Sequence, residues 1–219
     1  MAGIKDLPEV RAKLKPTLLL VRHGQTKFDE GVDQHQGWEN TGLDAKGVKQ
    51  SKHLEQVLTA LPIARIYTSD LRRAAETARI IAPPLMGYSG RFALRPWNVG
   101  QLVGKAKKDV QDELESYEFE KPGRALPGGE SFNEFRDRYL LQFQSLLEIA
   151  KEEPSKGIVI AVTHSWNILL ALAWLSAGGT RKDLDGEVLR MGTDIAPPEA
   201  GGMRFTWTGT RWTTKKLPI

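Results

Sequence analysis

The stretch LLLVRHG at positions 18–24 constrains the fold more than any other in the chain. From Thr17 to Val21 the residues are almost continuously apolar, with no alternation of polar positions. That pattern suits a strand covered on both faces, as in a parallel sheet flanked by helices. The run then stops on a guanidinium, an imidazole and a residue with no side chain. Two later segments behave in the same way. IARIYT at 63–68 runs into SDLRR, and GIVIAVT at 157–163 runs into His164.

Helical patterns separate these strands. Asp44 can cap a helix over 44–58, and Ser69 or Asp70 can cap one over LRRAAETARII, which Pro83 and Pro84 stop. Residues 91–95 (RFALR) read as a further strand, and 104–117 as a surface helix. Ser131 and Glu134 form a capping box ahead of a helix that buries Phe132, Phe135, Tyr139, Leu146 and Leu147. An apolar helix begins near Trp166 and ends by Gly178-Gly179, and MRFTWTGTRWTTKKL reads as a hairpin turning at Gly209. Alternating strand and helix predict a three-layer α/β/α sandwich with a mainly parallel central sheet. With 219 residues and no internal repeat, the expectation is one domain over 1–219, with 1–16 as a leader segment.

Composition removes several chemistries. There is no cysteine, so no disulfide, thiolate nucleophile or cysteine metal site exists. The net charge of +4 is spread over separate stretches. It offers no basic arm for nucleic acid, and by itself it fits an anionic small molecule, a loose attraction to nucleic acid or no particular partner equally; no nucleic-acid partner is expected. The N-terminus does not read as a signal peptide, and the most apolar stretch, ILLALAWL at 168–175, is too short for a span, so no membrane partner and a cytoplasmic location are expected. Scattered tryptophans read as packing residues, with Trp38 and Trp97 as candidates for a pocket mouth. His35 and His53 read as surface residues, although His35 lies in a loop from which it could reach a site.

In open α/β sheets, ligands bind beyond the carboxyl ends of strands. Here those ends carry Arg22 and His23, Ser69 to Arg73, and His164. Two imidazoles and two or three guanidiniums without a metal cluster make an anion site, and guanidinium forks match phosphate oxygens. VRHGQT (21–26), QGWENTGLDAKG (36–47), SDLRRAAETA (69–78), PGGES (127–131) and VTHS (162–165) occur in the order found in the histidine phosphatase superfamily, the phosphoglycerate mutase-like family, which the chain resembles from about Thr17 to Gly179. The resemblance implies phosphoryl transfer through a phosphohistidine, with no cofactor and no metal.

On that resemblance His23 is the nucleophile, Arg22 and Arg73 clamp the phosphate, and His164 is the second imidazole. A backbone carbonyl near Gly24 can hold the far ring nitrogen of His23 as a donor, leaving the attacking nitrogen unprotonated. Gly24 itself lets backbone and ligand approach closely. Adjacent helical residues point apart, and because Arg73 occupies the R-A position of the family motif the resemblance assigns Arg73 to the pocket and Arg72 to the surface or rim. Gln25, Thr26 and Asn40 are candidate substrate contacts.

One position departs from the family pattern. Where the family carries an acidic glutamate in L-x-E-x-x-x-G, this chain reads LRPWNVG, with Pro96 at the glutamate position. General acid catalysis is commonly worth ~10²–10⁴ in rate. Glu130 and Asp29 are the candidate replacements, with Glu30 and Asp33 also in the loop after the nucleophile. Phosphoanhydrides and acyl phosphates, whose leaving groups are stable unprotonated, would need the acid least. The expected function is a metal-independent phosphatase of a small phosphorylated metabolite. Mutase-type transfer and a catalytically weak phosphate-binding or interaction module are the alternatives, and a homodimer stays open.

Overall fold

The computed structural model describes residues 14–152, 154–180 and 184–217. The expected leader at 1–16 therefore lies almost wholly outside the described residues. Six strands form one sheet in the order β3-β2-β4-β1-β5-β6. They are β1 (Thr17–Arg22), β2 (Ile63–Ser69), β3 (Ser89–Arg91), β4 (Ile158–Thr163), β5 (Gly202–Trp207) and β6 (Trp212–Lys216). The first four run parallel, and the β5–β6 hairpin adds antiparallel to β1.

The unbroken apolar character of β1 follows from this placement, because successive side chains alternate between two covered faces. Leu18 and Leu20 join Val159, Ala161, Tyr139, Phe143 and Ile168 on one side. Leu19 and Val21 join Leu54, Ala74, Ala78, Ile160 and Val162 on the other. The second face is covered by α1 (Ala45–Leu58) and α2 (Arg72–Ile81). The first is covered by α4 (Phe132–Glu152) and α5 (Ser165–Ser176). Between β3 and α4 lies α3 (Lys107–Glu115), which continues into a π-helical turn over Ser116–Glu120, and a short α6 (Gly186–Met191) follows α5. The three-layer sandwich with a mainly parallel sheet is thus the observed architecture.

Local signals hold at several boundaries. Asp44 caps α1 by accepting from Gly47 N at 2.7 Å, and Ser131 and Glu134 exchange hydrogen bonds as a capping box. Two expectations are corrected. Neither Ser69 nor Asp70 caps α2; its first N–H, on Arg72, donates to Asn40 Oδ1 at 2.8 Å, a cap supplied from a distant loop. The strand over 91–95 is replaced by β3 at Ser89–Arg91 and a 3₁₀ turn at Phe92–Leu94. Side chains capture the carbonyls there. Thr163 Oγ1 donates to Leu94 O at 2.9 Å, and Arg138 donates to Ala93 O and Arg95 O at 3.1 Å each. Carbonyls engaged in this way are not free to extend a ladder.

Candidate active site

The register of β1 against β4 brings the two imidazoles together. Arg22 pairs with Thr163, so the next residue of each strand, His23 and His164, leaves the sheet at the same level. Their ring centroids are 5.0 Å apart at an interplanar angle of 61°. Both residues are buried. His23 Nδ1 lies 2.8 Å from the carbonyl of Gly24, and Arg73 Nε donates to His23 Nε2 at 3.2 Å. These two contacts define the tautomer. A carbonyl demands a proton on Nδ1 and a guanidinium N–H demands a lone pair on Nε2, so Nε2 is the unprotonated nitrogen.

The packing of α1 requires a glycine at position 24, beside the expected close approach of a ligand. A Cβ there would stand 2.5 Å from Gly47 O and 2.9 Å from Ser51 Oγ. The missing side chain lets α1 pack against the residue after His23.

Arg73 lies in the first turn of α2 beyond the carboxyl end of β2 and is only 1% exposed, whereas the Arg72 side chain is 66% exposed and pairs with Glu76. The Arg73 guanidinium donates to Glu39 O at 2.7 Å and Gly37 O at 2.9 Å. Guanidinium carries five N–H donors. Three are engaged here, which leaves two for an oxyanion. Arg22 is held from the other side by the Pro197 carbonyl and by the carboxylate of Glu199, and its Nε has no partner among the described residues. Sequence reasoning missed Glu199, which lies 177 positions along the chain from Arg22.

The remaining candidates are dispersed. Asp29 lines the pocket, but its carboxylate accepts from Thr26 N at 2.8 Å, Thr26 Oγ1 at 3.0 Å and Gln36 Nε2 at 3.0 Å. It acts as an acceptor and stands 3.9 Å from Arg22. Thr26 caps the short turn 27–29, and Gln25 donates to Asp44 at the start of α1. Asn40 caps α2. None of these three is in the wall of the histidine pocket, and each supports a loop or a helix start through the hydrogen bonds just given.

Glu130 is likewise outside that wall. Its carboxylate accepts from Arg138 at 2.6 Å and from Asn98 N at 3.0 Å, so it braces the segment carrying Pro96. These contacts account for Glu130 as a brace, beside its expected part as a replacement acid. Trp97 lines the pocket, while Trp38 does not and donates instead to Pro96 O at 2.9 Å. His53 is exposed as expected. His35 is corrected to a buried wall residue, 5% exposed, brought in where the loop bridges to the segment ahead of α3. Lys107, at the start of α3, completes that wall and carried no sequence signal beyond its charge.

The pocket is small, about 60 Å³, and is walled by Arg22, His23, Arg73, His164, His35 and Pro96 among others. Burial, followed by the positive charges of Arg73 and Arg22, holds His23 well below the usual imidazole range. The same causes, together with His23 itself, depress His164, whose two ring nitrogens have no partner among the described residues. Burial also lowers Arg73 to about 10, still protonated at neutral pH. The result is a neutral imidazole pair facing two fixed cations, which is chemically a receptor for a dianionic tetrahedral group. Among the described residues no cluster of His, Asp and Glu could hold a metal ion. A larger cavity of about 920 Å³ lies between the C-terminal parts of α4 and α5 and the β5–β6 hairpin, away from these groups.

A family model of the histidine phosphatase superfamily (branch 1) matches residues 18–189. The chain belongs to that superfamily. A Salmonella typhi protein described as a probable phosphoglycerate mutase, GpmB, is 33% identical over 151 residues, which are 66% of this chain and 67% of that one. Among solved structures, mycobacterial glucosyl-3-phosphoglycerate phosphatase in complex with VO3 superposes with a TM-score of 0.71 at 23% identity, covering 92% of this chain and 98% of that chain. An Escherichia coli protein described as a putative alpha-ribazole-5'-P phosphatase superposes with a TM-score of 0.74 at 19% identity, covering 93% and 96%. The chain is accordingly an enzyme of phosphoryl transfer within the histidine phosphatases. No helix among the described residues is long and apolar enough to cross a membrane.

Proposed function

We propose that the protein is a metal-independent, cytoplasmic phosphatase that hydrolyses a small phosphorylated metabolite through a phosphohistidine at His23. The observation that carries this reading is the pair of opposed hydrogen bonds on the His23 ring, which fixes an unprotonated Nε2 between Arg73 and His164. When a phosphate enters, its oxygens take over the Arg73 N–H that Nε2 now accepts. The Nε2 lone pair then attacks phosphorus. An N–P bond forms, the P–O ester bond breaks, and its electron pair leaves with the departing oxygen. Arg22, Arg73 and a proton-donating His164 stabilise the equatorial oxygens. In the second step water attacks phosphorus, the N–P bond breaks, and its electrons return to Nε2 while the water proton passes to solvent or phosphate.

Pro96 in the wall, with Glu130 tied to Arg138 and Asp29 used as an acceptor, supports a pocket in which, among the described residues, no carboxylic acid is poised to protonate the leaving oxygen. Activated phosphates should therefore be the better substrates. The test compares p-nitrophenyl phosphate with an unactivated alkyl phosphate in the wild type and in His23→Ala. Turnover that favours the activated ester and disappears in the variant supports the reading. Phosphate binding without turnover of any ester or anhydride rejects it in favour of a binding module.

A mutase reading has its own support in the description of the GpmB relatives. Interconversion of 2- and 3-phosphoglycerate in the presence of 2,3-bisphosphoglycerate, without release of inorganic phosphate, would establish it instead.

A further inference from the structure

A second cavity, of about 340 Å³, adjoins the phosphate pocket and shares His35, Lys107, Ser165 and Trp166 as common walls. This volume lies near the lower end of small-molecule sites, about 300–1,000 Å³. The far walls come from the π-helical turn after α3, with Glu118 and Phe119, and from α6, with Leu189 and Arg190.

Two buried polar atoms in these walls have no hydrogen-bond partner among the described residues. They are Glu118 Oε1 and His35 Nε2, each on a residue 5% exposed. Buried polar atoms are almost always paired, and an unpaired one costs about 1–3 kcal/mol. Both groups are uncharged near neutral pH. Burial, assisted by the Glu115 carboxylate, raises the Glu118 carboxyl to about 8 against the pull of Arg190, and burial lowers His35 to about 4. The fixed charges around them are spoken for or balanced. Lys107 is paired with Asp33 at 2.7 Å, Arg190 lies 4.4 Å from the centroid of the Phe119 ring, and Glu115 and Asp194 stand in the same walls. A second anionic group on a ligand would meet the Glu115 and Asp194 carboxyls here and, among the described residues of these walls, a lysine already paired and an arginine laid over the Phe119 ring. Hydroxyl groups would find a donor, an acceptor and an aromatic wall.

We propose that this cavity receives the organic part of the phosphate ester and selects an uncharged, polyhydroxylated group of about monosaccharide size through hydrogen bonds to Glu118 and His35 Nε2. The assignment rests on the phosphatase reading for the direction in which the ester lies, with its phosphate against His23. Glu118 acts in specificity and takes no part in bond breaking.

The test measures kcat/KM for glucose 6-phosphate, a nucleoside 5'-monophosphate, 3-phosphoglycerate and acetyl phosphate in the wild type, Glu118→Gln and Glu118→Leu. Acetyl phosphate is too small to need the cavity and reports the phosphoryl chemistry. The wild type should prefer the sugar phosphate to 3-phosphoglycerate. Glu118→Leu should lower the ratio of sugar phosphate to acetyl phosphate by roughly tenfold, the worth of one lost buried hydrogen bond, and Glu118→Gln should restore most of it. A preference for 3-phosphoglycerate or for the nucleotide, or a ratio indifferent to Glu118→Leu, would overturn the proposal. Failure to turn over acetyl phosphate would contradict the phosphatase reading and not the cavity. Glucose 6-phosphate binding by calorimetry would then decide, with equal affinity in the wild type and Glu118→Leu counting against it.

Discussion

Replacing Glu130 by Gln tests directly whether this residue braces the active-site wall or supplies its proton. In the structure the Glu130–Arg138 pair is largely buried, with side chains 14% and 15% exposed. Arg138 donates to Glu130 at 2.6 Å and also reaches the carbonyls of Ala93, Arg95 and Pro96 at 3.1–3.2 Å. Breaking one partner of a buried pair costs about 3–5 kcal/mol, chiefly because the other charge is stranded. Glu130→Gln keeps the shape and one acceptor, so about 2 kcal/mol is expected, while Arg138→Met removes every donor at once and should reach about 3–5 kcal/mol. The double variant should be less destabilised than the sum of the two, with a coupling energy of at least about 1 kcal/mol. Urea unfolding of the four proteins supplies these values. Because the pair holds the segment bearing Pro96 and Trp97, kcat should fall modestly in Glu130→Gln while the basic limb of its pH profile stays in place. A Glu130→Gln protein with wild-type stability, abolished turnover and a lost basic limb would show that the carboxyl is the acid, refuting the brace.

Other expectations follow from single contacts. Gly24→Ala drives a methyl against Gly47 O and Ser51 Oγ, so thermal unfolding should show about 1–3 kcal/mol of lost stability. Arg73→Lys loses the fork that spans His23, Gly37 and Glu39, and kcat/KM should drop about 10²–10³-fold, with about 1–3 kcal/mol of stability lost through the buried acceptors left unpaired. In the free enzyme the acid limb of kcat/KM should lie below pH 6.5, because burial and the arginines depress His23 and keep it neutral there; a limb at 6.5 or above contradicts that. Glu118 has a folded pKa of about 8, raised from 4.5. The folded state thus keeps a proton that the unfolded state has lost, and stability should decline as pH rises from 4.5 to 8, a slope that Glu118→Gln should flatten in pH-dependent urea melts.

The sequence carries those features that depend on short-range pattern. The three apolar runs ending at His23, Ser69 and His164 are legible because a strand buried on both faces has no polar alternation, and parallel strands deliver their ends to one edge. That Arg72 and Arg73 point apart follows from helix geometry, and which of them enters the pocket from the R-A position in the family motif. Features created by tertiary packing are not legible. Asn40 reads as a loop residue until it meets the first N–H of α2, and Glu199 reads as surface until Arg22 reaches it. His35 and Glu118 lie in polar stretches whose burial depends on α3, the π-helical turn and α6 closing together. Gly24 was legible as a close approach, but whether toward ligand or helix required the position of Gly47. Phe92 to Leu94 have strand-like composition, yet their carbonyls are claimed by Thr163 and Arg138.

Alkaline quench of the protein during turnover of p-nitrophenyl phosphate, followed by peptide mass spectrometry, addresses the central point most directly. A single acid-labile phosphoryl group on His23, formed and lost at rates that match turnover and missing in His23→Ala, is the predicted result. Turnover with the phosphoryl group on another residue, or with none captured and full activity kept by His23→Ala, would contradict the assignment of Nε2 as the nucleophile.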